Sequence, residues 1–345
     1  MKKLLQLIYA ALAFVSLMSC KSDYHKETQT YLSDSNINVI KEDSTTLPSE
    51  PKIQMLTADD IQLEESLLYD KYTLKDHYQY KETERSFKWN RIKEIIAFIE
   101  NMQQDSPQWL VLKNYRNLNG EAPLVKKYAY NSYRRVADSL GVERYQSVPL
   151  YLPEDTLRPV IYGRDGSLIY YRGEQGKFYR AESPADHQTW YVPQKYAELL
   201  PDSTLFHHLV FVDRKDQHIT TLEHAERGKW LIRSKNPATT GRKKPPYAQE
   251  TPLGFFLIQQ RKRKMVFLKD GSQKTGGYAP YASRFTNGAY IHGVPVNEPR
   301  KTPIEYGWSL GTTPRSHMCV RNATSHAKFV YEWAPLKQSL VIIIE

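Results

Sequence analysis

The chain has 345 residues, 40% of them hydrophobic and 25% charged, which describes a globular protein with room for two or three small domains, or one large domain and an appendage. Its 25 tyrosines and 20 prolines favour strands and turns over a helical bundle. The formal net charge of +10 is spread along the chain, with no Lys/Arg run longer than Arg261-Lys262-Arg263-Lys264. Such a surface suits any polyanion, an anionic envelope polymer or membrane face included, and does not single out nucleic acid.

In chain order, residues 1–19 combine basic Lys2 and Lys3 with an apolar stretch, Leu4 to Leu17, that is short for a transmembrane helix and fits an export signal. Leu17-Met18-Ser19-Cys20 resembles a bacterial lipobox, which implies cleavage before Cys20 and lipidation of its thiol. Residues 20–55 are polar and Ser/Thr-rich and are expected to be a tether. The region 56–146 is expected to be helical. Trp89, Ile92, Ile96 and Ile99 recur at helical spacing, and a second helix is expected from about Pro123 to Leu140, with Gly141 at its C-terminal cap.

The pattern changes over 147–205, where a small β module is expected. Val160-Ile161-Tyr162, Asp165-Gly166 and Leu168-Ile169-Tyr170-Tyr171 suggest a hairpin, with further strands at Phe178-Tyr179 and Trp190-Tyr191-Val192. A small barrel of the SH3-like kind would fit. Residues 206–345 then form a β-rich domain. Strands are expected near 209–213, 219–222, 230–232, 254–258, 265–268, 289–291 and 340–344, with one main helix over Thr324 to Trp333. The fold class expected for the whole is α+β, mostly β.

Cys319 is one of only two cysteines, and lipidation of Cys20 would leave it with no intramolecular disulfide partner. It sits in Ser316-His317-Met318-Cys319-Val320-Arg321. Upstream lie Tyr290-Ile291-His292-Gly293 and Thr251-Pro252-Leu253-Gly254-Phe255. A thiolate is a strong nucleophile toward a peptide carbonyl, and a nearby imidazole raises the thiolate fraction. In this order the three segments resemble the motifs of the YkuD-type L,D-transpeptidases, over roughly residues 207–345.

The resemblance implies a β-sandwich with no cofactor and no metal, acting on peptidoglycan stem peptides. Cys319 would be the nucleophile and His292 the base, with the Gly293 carbonyl orienting the ring. Ser316, His317 and Met318 would form the loop around an oxyanion site, and Arg321 and Tyr290 would contact substrate. Asn236-Pro237-Ala238-Thr239-Thr240-Gly241 resembles the family's segment before the threonine-proline motif and is expected to be fold-building. The implied reaction is attack on the carbonyl of the third stem residue, release of D-alanine and cross-linking to an amine. Alternatives are an L,D-carboxypeptidase, or a non-catalytic wall-binding lipoprotein. An outer-membrane anchor facing the periplasm is expected, because Lys21 rather than aspartate follows Cys20.

Two features depart from the family pattern. Met318 stands where glycine is usual, which is costly if the position needs positive φ. Cys319 lies 27 positions after His292, so Val294 to Pro314, with four prolines, is expected to include an inserted loop over the site. Lys274-Thr275-Gly276 and Ser325-His326-Ala327-Lys328 mimic motifs of serine penicillin-binding enzymes, but in reversed order and with no Ser-Asp-Asn. The ten histidines form no HExxH, and there is no paired CxxC.

Overall fold

A computed structural model describes residues 54–104, 108–117, 129–130, 136–137, 146–184, 187–244 and 247–345. The leader, Cys20 and the tether as far as residue 53 lie outside the described residues. Two sheets pack face to face in the C-terminal half. The first has six strands, in the order Gln62–Glu65, Lys229–Pro237, His218–Glu226, His208–Asp213, Ser339–Ile344 and Gly254–Leu257. The second runs Gln260–Leu268, Thr275–Thr286, Ala289–His292 and Val320–Arg321, with Val296–Asn297 added to Thr275–Thr286.

Strict alternation explains why the first sheet is buried on both faces. In His208–Asp213, Val210 and Val212 point into the core between the sheets, where they meet Phe285, Ile291, Val320 and helix Thr324–Trp333. Leu209 and Phe211 point the other way. Ser339–Ile344 divides in the same manner, Val341 and Ile343 to one side and Leu340 and Ile342 to the other. Each such side chain removed from water contributes about 1.5–3 kcal/mol. The expected sandwich with one main helix is therefore the observed architecture of this half.

The second face of the six-stranded sheet is covered by helix Trp89–Gln104, whose Ile92, Ile95, Ile96 and Ile99 enter the core with Leu209, Phe211 and Trp230. Glu100 on the same stripe is buried. Its carboxylate accepts from Trp230 Nε1 at 2.6 Å and from the Gly228 N–H at 3.0 Å. Apart from two short 3-10 turns, the other described residues of the region expected to be helical are not α-helical. They include strands Gln62–Glu65, His77–Tyr80, Thr83–Ser86 and Trp109–Leu112. Within the span expected as a second helix, Ala129–Tyr130 pairs antiparallel with Val136–Ala137, and the remainder lies outside the described residues. Tyrosine and valine favour extended pairing over a helix.

The upstream module is a five-stranded sheet in the order Thr189–Pro193, Phe178–Glu182, Leu168–Gln175, Trp109–Leu112 and Ala197–Leu199. It takes one strand from before residue 147, and its open order does not identify an SH3-like barrel. The expected hairpin about Asp165-Gly166 is also corrected. Ile161–Arg164 pairs with Ser147–Leu150, whereas Leu168–Gln175 pairs with Trp109–Leu112 and Phe178–Glu182. Asp165-Gly166 is instead a corner that docks on the sandwich.

At that corner Asp165 is fully buried and pairs with the guanidinium of Arg284. It also accepts from the Asn114 N–H at 2.9 Å and from Gln259 Nε2 at 3.1 Å. Gly166 has φ +86°, and a Cβ there would lie 2.1 Å from the Phe285 carbonyl, so only glycine fits. Removing one member of a buried ion pair leaves the other charge uncompensated. Asp165→Ala is expected to cost about 3–5 kcal/mol in denaturant unfolding. The double variant Asp165→Ala/Arg284→Met is expected to recover much of that loss; no recovery would show that the charge pair is not what holds the corner.

Candidate active site

Two of the three motifs meet through backbone pairing. Ala289–His292 runs parallel to Val320–Arg321, in the register Ile291 with Val320 and His292 with Arg321. That register brings Cys319 and His292 to one cleft of about 900 Å³, although 27 positions separate them. The Asn236–Gly241 segment forms the other side of the cysteine loop. The Thr239 N–H and carbonyl pair with Arg321, both at 2.9 Å, and the Thr240 carbonyl accepts from Ser316 N at 3.0 Å.

Thr251, first residue of the threonine-proline motif, locks this assembly. Its hydroxyl accepts from the Gly241 N–H at 2.8 Å and donates to the Met318 carbonyl at 2.8 Å. Thr251 is fully buried. One short side chain thus satisfies two backbone groups that have left the sheet ladders. A Cβ on Gly241 would lie 2.7 Å from Met318 Cα, which accounts for glycine at 241.

His292 is buried, and its Nδ1 lies 2.6 Å from the Gly293 carbonyl. A carbonyl can only accept, so Nδ1 carries the proton and Nε2 keeps a lone pair. Burial lowers the His292 pKa to about 4; the Gly293 hydrogen bond opposes that and Arg321 adds to it. A Cβ on Gly293 would come within 2.6 Å of Thr324 Oγ1 and 2.9 Å of Pro280, so glycine lets the chain beside His292 pack against strand Thr275–Thr286 and the helix.

Cys319 is half-buried, with Sγ 3.7 Å from the Gly288 carbonyl. Ser316 is buried and donates its hydroxyl to the Cys319 carbonyl, while accepting from the Met318 N–H at 3.3 Å. His317 lines the same cleft, its Nε2 3.3 Å from Asp270 Oδ2. Arg321 lines the cleft. Burial lowers its pKa, the Cys319 charge opposes that and Arg242 adds to it. Burial and a 3.2 Å contact with the Tyr115 hydroxyl push the Tyr290 hydroxyl well up from its ordinary value.

The stretch Val294 to Pro314 does lie over the site: Ile304, Tyr306, Trp308 and Leu310 all line the cleft. It is moored at Glu305, whose carbonyl accepts from Thr324 N at 2.8 Å and whose carboxylate accepts from Ser325 N at 3.1 Å. A carboxylate at the start of helix Thr324–Trp333 also meets the positive end of its dipole. Sequence reasoning missed Tyr115 and Arg116, which reach the same cleft from the upstream module. No motif marks them. Among the described residues no group of three or more His, Cys, Asp or Glu side chains converges as a metal site, and no helix is long and apolar enough to cross a membrane.

Met318 takes φ +123°, and its side chain is buried between the sheets. The methionine therefore couples a strained backbone to an apolar anchor. Met318→Ala keeps the strain and loses the anchor, at an expected cost of about 2–5 kcal/mol. Met318→Gly loses the anchor but also the strain, and is expected to be about 1 kcal/mol more stable than Met318→Ala. That reverses the usual order of alanine over glycine, and denaturant midpoints of the two variants check it.

Comparison with known proteins bears on the same segment. Residues 207–343 match the YkuD family, described as the L,D-transpeptidase catalytic domain. No curated protein matches the chain. Among solved structures, an L,D-transpeptidase from Mycobacterium tuberculosis H37Rv is similar at 21% identity, covering 47% of this chain and 74% of that one, with a TM-score of 0.30. An L,D-transpeptidase from Mycobacterium smegmatis is similar at 17% identity, covering 57% of this chain and 99% of that one, with a TM-score of 0.32. A fused Zn-dependent amidase/peptidase/peptidoglycan-binding domain-containing protein from Clostridium acetobutylicum ATCC 824 shares 18% identity over 41% of this chain, at a TM-score of 0.30, and this chain spans 54% of its length. A YkuD-type L,D-transpeptidase catalytic domain is thus matched over residues 207–343 of this chain.

Proposed function

We propose that the protein is a cysteine-dependent L,D-transpeptidase that cross-links peptidoglycan stem peptides. The observation that carries the proposal is the parallel register of His292 with Arg321, which sets a buried imidazole of fixed tautomer beside the Cys319 loop. The thiol proton passes to His292 Nε2 as Sγ forms a bond to the carbonyl carbon of the third stem residue. The bond from that carbon to the D-alanine nitrogen breaks, and D-alanine leaves with the proton from His292. An acceptor amine then attacks the thioester and gives its proton to His292. The new amide forms as the C–S bond breaks, and the thiol is restored. The cleft suits an acidic peptide, since Arg116, Lys269 and Arg321 line it while Asp270 faces His317 and Glu298 holds Lys301 at 3.0 Å.

Incubation with a stem tetrapeptide is expected to release D-alanine and to leave an acyl adduct on Cys319. Unchanged turnover in Cys319→Ala would sink the proposal. Product mass separates a cross-linked dimer from a trimmed monomer. His292 must be neutral to accept the thiol proton, so activity is present above its pKa and lost as pH falls through it. With burial holding that pKa at about 4, the acid limb of kcat/KM is expected well below the 6.5 of an ordinary imidazole. An acid limb at 6.5 in folded protein would assign the base elsewhere.

We also propose that lipid on Cys20 anchors the enzyme to the outer membrane, facing the periplasm. This rests on Leu17-Met18-Ser19-Cys20 and on Lys21. Cys20→Ala is expected to move the protein from the membrane fraction to the aqueous fraction; an unchanged distribution would discard the anchor.

A further inference from the structure

One wall of the cleft does not come from the catalytic domain. Tyr115 and Arg116 follow strand Trp109–Leu112 of the upstream module, and both line the cleft together with His292, Cys319 and Arg321. The Tyr115 ring lies between two guanidinium groups, Arg284 at 4.0 Å and Arg116 at 5.2 Å from its centroid. Its hydroxyl lies 3.2 Å from that of Tyr290, whose strand continues into His292. Arg284 is itself fixed by Asp165, which also accepts from the Asn114 N–H next to Tyr115. A buried network therefore sets the position of this loop against the reacting groups.

Arg116 has φ +54°, and its side chain is exposed into the cleft. A guanidinium presents paired donors in a plane that matches a carboxylate. We propose that Arg116 is a substrate-binding residue that takes a free carboxylate of the peptide in the cleft, and that Tyr115 holds it and Tyr290 in place. The upstream module is then part of the substrate site and sets a preference for acidic over amidated stems. This rests on the cleft being a stem-peptide site, as proposed above.

The test uses the full chain carrying Cys319→Ala, so that affinity is read without turnover. Binding of a stem tetrapeptide, and of the same peptide with its carboxylates amidated, is measured by calorimetry with Arg116, Arg116→Lys or Arg116→Asn. Asparagine tolerates the left-handed backbone at this position and removes the guanidinium. Arg116→Asn is expected to weaken the acidic peptide about tenfold and to leave the amidated peptide unchanged, with Arg116→Lys between the two. Equal affinities with and without Arg116, an equal loss on both peptides, or no binding of either peptide would overturn the inference. Turnover by the chain with Cys319 intact is the separate test of the chemistry. If turnover fails while binding still depends on Arg116, the transferase proposal falls and this one stands.

Discussion

Two residue pairs, Ile291 with Val320 and His292 with Arg321, carry the organisation of this protein's cleft. Parallel pairing without a local turn has to be imposed from elsewhere. Here it is imposed by Thr239, which pairs with Arg321 from the other side, and by Thr251, whose hydroxyl ties Gly241 to Met318. The cysteine loop is thus gripped on both flanks by backbone and at its base by one buried hydroxyl. The strained φ of Met318 is affordable because its side chain is anchored in the core between the sheets.

The upstream half of the chain does more than precede this centre. Arg85 of strand Thr83–Ser86 donates to the carbonyls of Gly311 and Thr312 at 2.6 and 2.7 Å, steadying the far end of the stretch over the cleft. Tyr72 packs against Tyr306 of the same stretch with ring centroids 4.5 Å apart. Tyr69 bonds Ser325 at 2.6 Å, beside the Glu305 mooring. Together with Tyr115 and the Asp165–Arg284 pair, these contacts make the cleft a shared product of segments that are remote in sequence.

The strongly patterned elements were legible in the sequence. Strand Ser339–Ile344, the isoleucine stripe of helix Trp89–Gln104 and helix Thr324–Trp333 all declare themselves by apolar spacing. The histidine and cysteine motifs lie on one cleft, whereas Thr251 of the threonine-proline motif acts from behind it, through Gly241 and Met318. Thr275–Thr286, the longest strand, did not declare itself, because its Gly276, Gly277 and Pro280 read as breakers. The two glycines are there for close backbone approach: a Cβ on Gly277 would lie 2.0 Å from the Val296 carbonyl. The strands of 62–86 were invisible for another reason. They are short, polar and mostly exposed; Gln62–Glu65 forms against the edge of Lys229–Pro237, and the other two pair only with each other, without a periodicity of their own. The Asp165-Gly166 corner imitates a hairpin turn locally, and only its burial against Arg284 and Phe285 distinguishes the two.

Chain that comes earlier in sequence finishes both sides of the six-stranded sheet, as the outer strand itself on one side and as a cover on the other. Gln62–Glu65 pairs along Lys229–Pro237 on one side. On the other, the Gly166 carbonyl accepts from Leu257 N at 2.9 Å, and Ser167 bridges Phe256. An open strand edge is a template for pairing with a second molecule. These segments therefore leave only a short, acidic strand, Gln62–Glu65, as the open edge on one side and cover Gly254–Leu257 on the other. Because about 165 residues separate Gln62–Glu65 from its partner strand, closing that edge carries the loop entropy of a long-range contact. Without Gln62–Glu65 in place, the Lys229–Pro237 edge would be open to pairing with a second molecule.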